Sequence, residues 1–204
     1  MRLIVGISGA TGVIYGIRLL TVLREIPDVQ THLVMSPAAR QTIVLETDYQ
    51  IADVQALADV VHPFNDISAS IASGSYRTDG MVIVPCTVKT LSGVALSLSA
   101  NLLLRAADVT LKERRRLVLV FRETPLHLGH LRLLQQAAEM GAIVLPPMPA
   151  FYHLPKTLDD IIDQTVQRTL DMFDIEWSSG RFPRWNGPVK RDRRPQMSDE
   201  AADL

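Results

Sequence analysis

The sequence predicts a doubly wound α/β fold: one domain with a parallel sheet covered by helices on both faces. Three observations predict it. Short runs rich in Val, Ile and Leu alternate with segments of helical periodicity, the pattern of parallel strands joined by right-handed crossovers. The first run, Leu3-Ile4-Val5, opens into VGISGATGVIYG, which sets Gly6, Gly9, Gly12 and Gly16 between a strand and a helix. The chain has 204 residues, a length at which one domain buries about 70% of the surface its unfolded chain exposes.

The elements run in order along the chain. Residues 2–7 read as a buried strand. Ile14, Ile17, Leu20 and Leu23 mark a helix over 13–25. Residues 30–35 form a second strand. Pro37 then suits a first helical turn behind Ser36 as its cap. Residues 46–72 read as short helices and a loop at Pro63-Phe64-Asn65-Asp66. The β-branched run 81–85 is a third strand, with helices over 89–98 and 102–113 after it. A strand at 117–121, a helix at 126–140, a strand at 142–145 stopped by Pro146-Pro147, and a helix at 158–173 complete the domain, 1–177. Residues 178–204 read as a tail, basic first and acidic last.

Composition excludes several classes. Lys and Arg total 21 against 22 Asp and Glu, a net charge of −1, so no broad attraction to nucleic acid or anionic membrane is expected. Cys86 stands alone, which rules out an intramolecular disulfide and fits a reducing compartment. The apolar start after Arg2 is broken by Gly6 and Ser8, unlike a signal peptide. No apolar run reaches the roughly 18 residues of a membrane helix. A soluble cytoplasmic protein is expected. The apolar share of 47% with only 5% aromatics points to apolar surface shared between subunits, with the segment 91–104 as the expected contact.

In an open α/β sheet, ligands bind at the carboxyl ends of the strands. The expected strands lead in turn into Ser8-Gly9-Ala10-Thr11-Gly12, Ser36, Cys86-Thr87-Val88-Lys89-Thr90, Arg122-Glu123 and Pro149-Ala150-Phe151-Tyr152. Hydroxyls, glycines and helix starts suit a phosphate held by backbone N–H groups. They do not suit a metal. Of five histidines only His127 and His130 come as a close pair, with no carboxylate or cysteine beside them; the histidines read as surface or packing residues. The glycine spacing is G-x-x-G-x-x-G, no acid ends the second strand, and no Gly-Lys-Ser/Thr occurs, which excludes a P-loop and argues against a dinucleotide fingerprint. By itself the stretch fits a tight turn as well as a cofactor site. The run Lys112-Glu113-Arg114-Arg115-Arg116 suits a solvated helix end, where cations complement the dipole, and Arg114 and Arg115 read that way. Arg122-Glu123 stands at a functional position of the fold.

Taken together, GISGATG, LVMSPAAR, ETDYQ, SGSYRTDGMVIVPCTVKTLSG, LLLRAADVTLKERRRLVLVFRETPL, PPMPAFYHLP and FPRWNG resemble the UbiX/Pad-type flavin prenyltransferases, from Arg2 to about Trp185. The resemblance implies a flavodoxin-like, Rossmann-like flavoprotein domain in a homo-oligomer, a dodecamer, with FMN at a subunit junction and no metal. It implies transfer of a dimethylallyl group from dimethylallyl monophosphate to N5 of reduced FMN, with a second bond to C6. The prenylated FMN would serve a UbiD-type decarboxylase acting on aromatic or unsaturated acids. FMN is expected rather than FAD or NAD.

The same resemblance implies roles. Gly9, Ala10 and Thr11 approach FMN, Ser36, Thr87, Val88, Lys89 and Thr90 complete that site, and Arg122 lies beside them. Tyr152 and Arg168 take the donor phosphate, with Arg105 and Lys112 in the same region. A positive cluster is what a departing phosphate needs as negative charge gathers on it. Glu123 is the implied acid/base near that phosphate, Glu46 the carboxylate near the flavin, and Trp185 a cover over the site. Thr11 and Lys112 belong to the implied catalytic set with them. Thr11 stands where many members carry Ser; the hydroxyl survives, and Thr is found in the branch associated with phenolic acid decarboxylases, while Phe121 replaces a usual proline before Arg122.

Two other readings compete. A flavin-dependent cysteine decarboxylase would need an early catalytic histidine and an Asn-rich motif, whereas His32 lies inside the second strand pattern. A flavin-binding accessory subunit would have no use for Arg105, Lys112, Glu123 and Arg168.

Overall fold

The computed structural model describes residues 1–178; Trp185 and nearly all of the expected tail lie outside them. The elements are β1 (Arg2–Ile7), α1 (Val13–Arg24), β2 (Gln30–Met35), α2 (Pro37–Glu46), α3 (Ile51–Gln55), β3 (Val60–His62), a 3₁₀ turn (Ser70–Ala72), β4 (Gly80–Cys86), α4 (Val88–Ala95), α5 (Leu102–Lys112), β5 (Arg116–Phe121), α6 (Leu128–Glu139), β6 (Ile143–Val144) and α7 (Leu158–Asp171). All strand pairings are parallel, in the order β3-β2-β1-β4-β5-β6.

Each sheet face is buried against its own core. Leu3, Val5 and Ile7 of β1 pack with Ile17, Leu20 and Leu23 of α1 and with Val166 and Leu170 of α7. Ile4 turns the other way, with Met81, Ile83, Leu91, Leu103 and Ala106. Burial on both faces is why the central strands read as unbroken apolar runs. Helix α1 lies close enough to the sheet that a Cβ on Gly16 would stand 2.5 Å from the Val84 carbonyl oxygen, so only glycine fits there.

Helix ends have local causes. Helix α4 stops at Ala95, three residues before the sequence pattern does. Ser97 takes a left-handed φ of 51°, and Leu98 N–H donates to the Gly93 carbonyl at 2.8 Å, a Schellman-type close. Helix α5 closes likewise, with Arg114 at φ 57° and Arg115 N–H on the Thr110 carbonyl. The guanidinium of Arg115 is not simply solvated, as the sequence suggested. It donates to the carbonyls of Gly74 and Tyr76 and to Thr78 Oγ1, clasping the loop before β4.

Two further expectations change. Strand β3 lies within 46–72, where none was expected; three residues are too few to show alternation. The segment 91–104 is mostly internal, since Leu91, Val94, Ala95 and Leu102 to Leu104 are buried in their own chain. Leu96 and Leu98 of the segment are exposed, and further exposed apolar side chains stand at Val44 and Leu45 of α2, Leu128 of α6, and Met148, Phe151 and Leu158 before or at the start of α7. None of the described helices is long and apolar enough to cross a membrane.

Candidate functional site

β1 and β4 are neighbours, but the chain leaves β1 toward β2 and leaves β4 toward β5. Their outgoing loops therefore part and open a crevice at the carboxyl end of the sheet. Ser8 forms its floor. It is buried, its Oγ donates to the Pro85 carbonyl at 2.8 Å, and it accepts from Thr87 N–H at 2.9 Å. One hydroxyl thus ties the end of β1 to the start of α4. The pairing of β4 with β5 shifts register between Ile83 and Cys86, a local irregularity of the kind that re-aims a strand end beside a site.

Three helices, α2, α4 and α5, start at this crevice, the first two behind hydroxyl caps. Ser36 Oγ accepts from Ala39 N–H at 3.0 Å and caps α2. Thr87 Oγ1 accepts from Thr90 N–H at 3.1 Å and caps α4, and it donates to Thr90 Oγ1 at 3.0 Å. The remaining first-turn N–H groups have no acceptor within their own helix, and the positive helix ends favour an anion. Between them lies a cavity of about 370 Å³, within the usual range for ligand pockets. Ser8, Gly9, Ser36, Thr87, Lys89 and Thr90 line its polar side, Ala38, Phe64, Leu103 and Leu104 its apolar side, and Asn101 its rim. A Cβ on Gly9 would come within 2.4 Å of Ala38 Cβ and 2.9 Å of its carbonyl carbon. Glycine alone lets the β1–α1 loop pass the start of α2 this closely.

The other expected residues fall into two groups. The first gathers near the crevice. Ala10 and Thr11 lie in the β1–α1 loop, Ala10 half-buried and Thr11 exposed, and Val88 opens α4. Glu46, at the far end of α2, reaches back to that loop, its Oε2 accepting from Gly12 N–H at 2.8 Å. Arg122 follows β5 and is tied to the end of β4 by its N–H on the Cys86 carbonyl, at 3.1 Å; its exposed guanidinium has no partner among the described residues. Glu123, next to it, accepts only from Thr124 N–H among the described residues, at 3.0 Å. Cys86 is fully buried, and burial pushes its thiol far up, so it is inert.

The second group is not brought to the cavity of its own chain. Helix α5 starts at the cavity and runs about 16 Å away from it. Arg105 on it donates to the Ala72 carbonyl and pairs with Asp108 at 2.9 Å. Lys112, its last residue, pairs with Glu113 near the amino end of the sheet. Arg168 pairs with Asp171 at 2.7 Å in the last turn of α7, close to Met172, whose carbonyl accepts from Arg116 at the start of β5. Tyr152 is exposed and meets His153 edge-on. These cations cannot surround a ligand in the crevice of the same chain.

Sequence reasoning missed Ser8 as a tether and Phe64, Leu103 and Leu104 as walls. It also missed that His32 and His62 lie together, Nδ1 to Nε2 at 3.0 Å. His127 and His130 do pair, with ring centroids 3.6 Å apart, and His127 caps α6 by accepting from Gly129 N–H.

The family model "Flavoprotein" matches residues 1–170. The chain is 66% identical over 186 residues to flavin prenyltransferase UbiX of Salmonella typhimurium, covering 91% of this chain and 98% of that protein. Two solved structures are similar throughout. One is AnUbiX (PadA1) in complex with FMN and dimethylallyl pyrophosphate, with a TM-score of 0.88, 50% identity, and 92% and 98% of the two chains covered. The other is a dodecameric FMN-dependent UbiX-like decarboxylase from Escherichia coli O157:H7, with a TM-score of 0.89, 52% identity, and 92% and 100% covered.

Proposed function

The chain belongs to the Flavoprotein family, among the UbiX-type flavin prenyltransferases, and from that membership we propose that its switch-point cavity holds FMN and that prenyl transfer takes place at the cavity mouth. The donor set fits this cofactor. Two hydroxyl-capped helix starts, Lys89 and the hydroxyls of Ser8, Ser36, Thr87 and Thr90 suit one terminal phosphate, and Phe64, Leu103 and Leu104 offer an apolar wall to a flat ring. That convergence of polar and apolar sides in one cavity is the observation that carries the reading.

In reduced form FMN supplies the N5 and C6 positions that accept the dimethylallyl group. The chain does the rest. The α2 and α4 starts bind the FMN phosphate, helped by Lys89 and Arg122. Phe64, Leu103 and Leu104 keep water from the ring. Thr11 stands on the β1–α1 loop, and Glu46 reaches that loop from the end of α2, where Gly12 N–H holds one oxygen and its other oxygen takes up the proton released as the second bond forms. Glu123 moves a proton at the leaving phosphate oxygen. Arg105, Lys112, Tyr152 and Arg168 hold that phosphate and favour its departure by gathering positive charge around it. Because Lys112 and Arg168 lie at the far side of their own sheet, this cluster is completed by neighbouring subunits of a dodecamer, and the exposed apolar side chains of α2 and α6 are the surface for such neighbours. The family resemblance assigns Trp185, outside the described residues, as a cover over the site. The donor is dimethylallyl monophosphate, and the prenylated FMN goes to a UbiD-type decarboxylase of aromatic or unsaturated acids.

Incubating the purified protein with reduced FMN and dimethylallyl monophosphate, then weighing the flavin, tests the reading. A gain of one C5 prenyl unit is expected, and unchanged FMN overturns it. Arg122→Ala is expected to weaken FMN binding by about tenfold or more, the scale of a lost charge-assisted hydrogen bond. Flavin titration of the variant checks this, and an unchanged affinity removes Arg122 from the cofactor site.

A further inference from the structure

β3 ends at His62, and two residues later Phe64 stands in the cavity wall. Phe64 is held on one side by its carbonyl, which accepts from Leu102 N–H at 2.9 Å. On the other side β3 is locked to β2 through side chains. His32 Nδ1 and His62 Nε2 are 3.0 Å apart, with stacked rings whose centroids are 5.3 Å apart. His32 Nε2 meets Tyr76 Oη at 3.2 Å. Both histidines are buried, 2% and 9% exposed.

Such a chain needs a hydrogen at one end of each contact and a lone pair at the other. Two neutral rings satisfy it: Tyr76 O–H donates to His32 Nε2, and His32 Nδ1–H donates to His62 Nε2, or the whole chain runs in reverse. One added proton leaves a cation in a buried place. Two set N–H against N–H at the shared contact.

We propose that His32 and His62 are positioning residues for Phe64: as a neutral hydrogen-bonded pair they hold the end of β3, and with it the cavity wall, and proton uptake by the pair loosens that wall and weakens flavin binding. This rests on the assignment of the cavity to FMN.

The surrounding charges are few. The Arg2 guanidinium lies over the Tyr76 ring at 5.0 Å and opposes a cation on His32, while Asp59 favours one. Asp66 favours one on His62. Burial outweighs the carboxylates, holding His32 down at about 4 and His62 below its ordinary value. A released histidine titrates near 6.5. The wall is therefore fully held above about pH 6.5 and loosens as the pH falls toward about 4.

The test is FMN affinity of the assembled apoprotein at about pH 7.5 and about pH 5, read by quenching of flavin fluorescence. Because the FMN phosphate itself titrates near pH 6, the comparison is with the double variant His32→Gln/His62→Gln. Wild-type affinity is expected to fall on the order of tenfold further than that of the variant. Hydrogen exchange of residues 60–66 in the wild-type protein, corrected for the intrinsic rate, is expected to quicken at the lower pH, and it decides the matter where the variant does not fold. Equal pH dependence in both proteins overturns the inference, as does unchanged exchange at 60–66. Failure of FMN to bind even at the higher pH overturns the cavity assignment instead.

Discussion

Glu123→Gln is expected to lower prenyl transfer by about 100- to 10,000-fold, the cost of one lost acid–base group, with FMN still bound at wild-type affinity. Glu123 stands exposed at the carboxyl end of β5, with Thr124 N–H on Oε1. A glutamine keeps that bond through its carbonyl oxygen and loses only the proton chemistry. The competing account makes Glu123 half of a surface ion pair with Arg122 or Lys112, worth about 0–1 kcal/mol. Within the chain neither pair forms, because Lys112 turns to Glu113 and the Arg122 side chain has no partner among the described residues. Single-turnover formation of prenylated FMN on fully loaded protein is the measurement. A rate within a few-fold of wild type would end the assignment of Glu123 to the chemistry and leave the fold and cofactor untouched.

Arg18→Met is expected to destabilise the protein by about 1–3 kcal/mol, the cost of taking charge-assisted hydrogen bonds from a buried carboxylate. Asp163 is 1% exposed and takes two hydrogen bonds from Arg18, at 2.5 Å from Nε and 3.0 Å from the second nitrogen. The pair clamps α1 to α7, and the guanidinium also lies over the Trp177 ring at 5.4 Å. Losing the cation removes these two hydrogen bonds and the opposite charge from a carboxylate set between two helices. Asp163→Asn costs less, because Arg18 is about one-third exposed and can turn toward water. Urea unfolding at fixed protein and FMN concentration checks both variants. Equal losses below about 1 kcal/mol would mean that packing alone joins the two helices.

How far the sequence carries depends on where each contact partner lies. β1 and β2 are legible to the residue because burial on both faces leaves an unbroken apolar run. The caps Ser36 and Thr87 are legible because a hydroxyl directly before a helix has one dominant local use. Phe64 is not. It reaches the cavity through a hydrogen bond to Leu102, far along the chain, and through a strand of three residues. His32 and His62 each read as ordinary packing histidines, and only the register that sets His32 opposite Val60 brings them together. The family pattern groups Arg105, Lys112 and Arg168 with the phosphate chemistry, yet one chain spreads them along α5 and at the end of α7. The apolar segment 91–104 is buried at both ends and exposed at Leu96 and Leu98 between them, and periodicity does not say which of its side chains meet the same chain and which another.

The strand order also has a consequence for synthesis. β1 is made before the other strands of its sheet and lies at the sheet's centre, with Leu3 opposite Thr31 on one side and Gly80 on the other. The first partner emerges soon after it. The second is 77 residues behind, the difference between positions 3 and 80. At about 5–20 residues per second, the nascent chain spends roughly 4–15 s with one edge of this buried apolar strand unpaired. An open strand edge invites pairing with other chains, so chains released before residue 86 should aggregate, and slow translation of the stretch before β4 should lower the yield of folded protein.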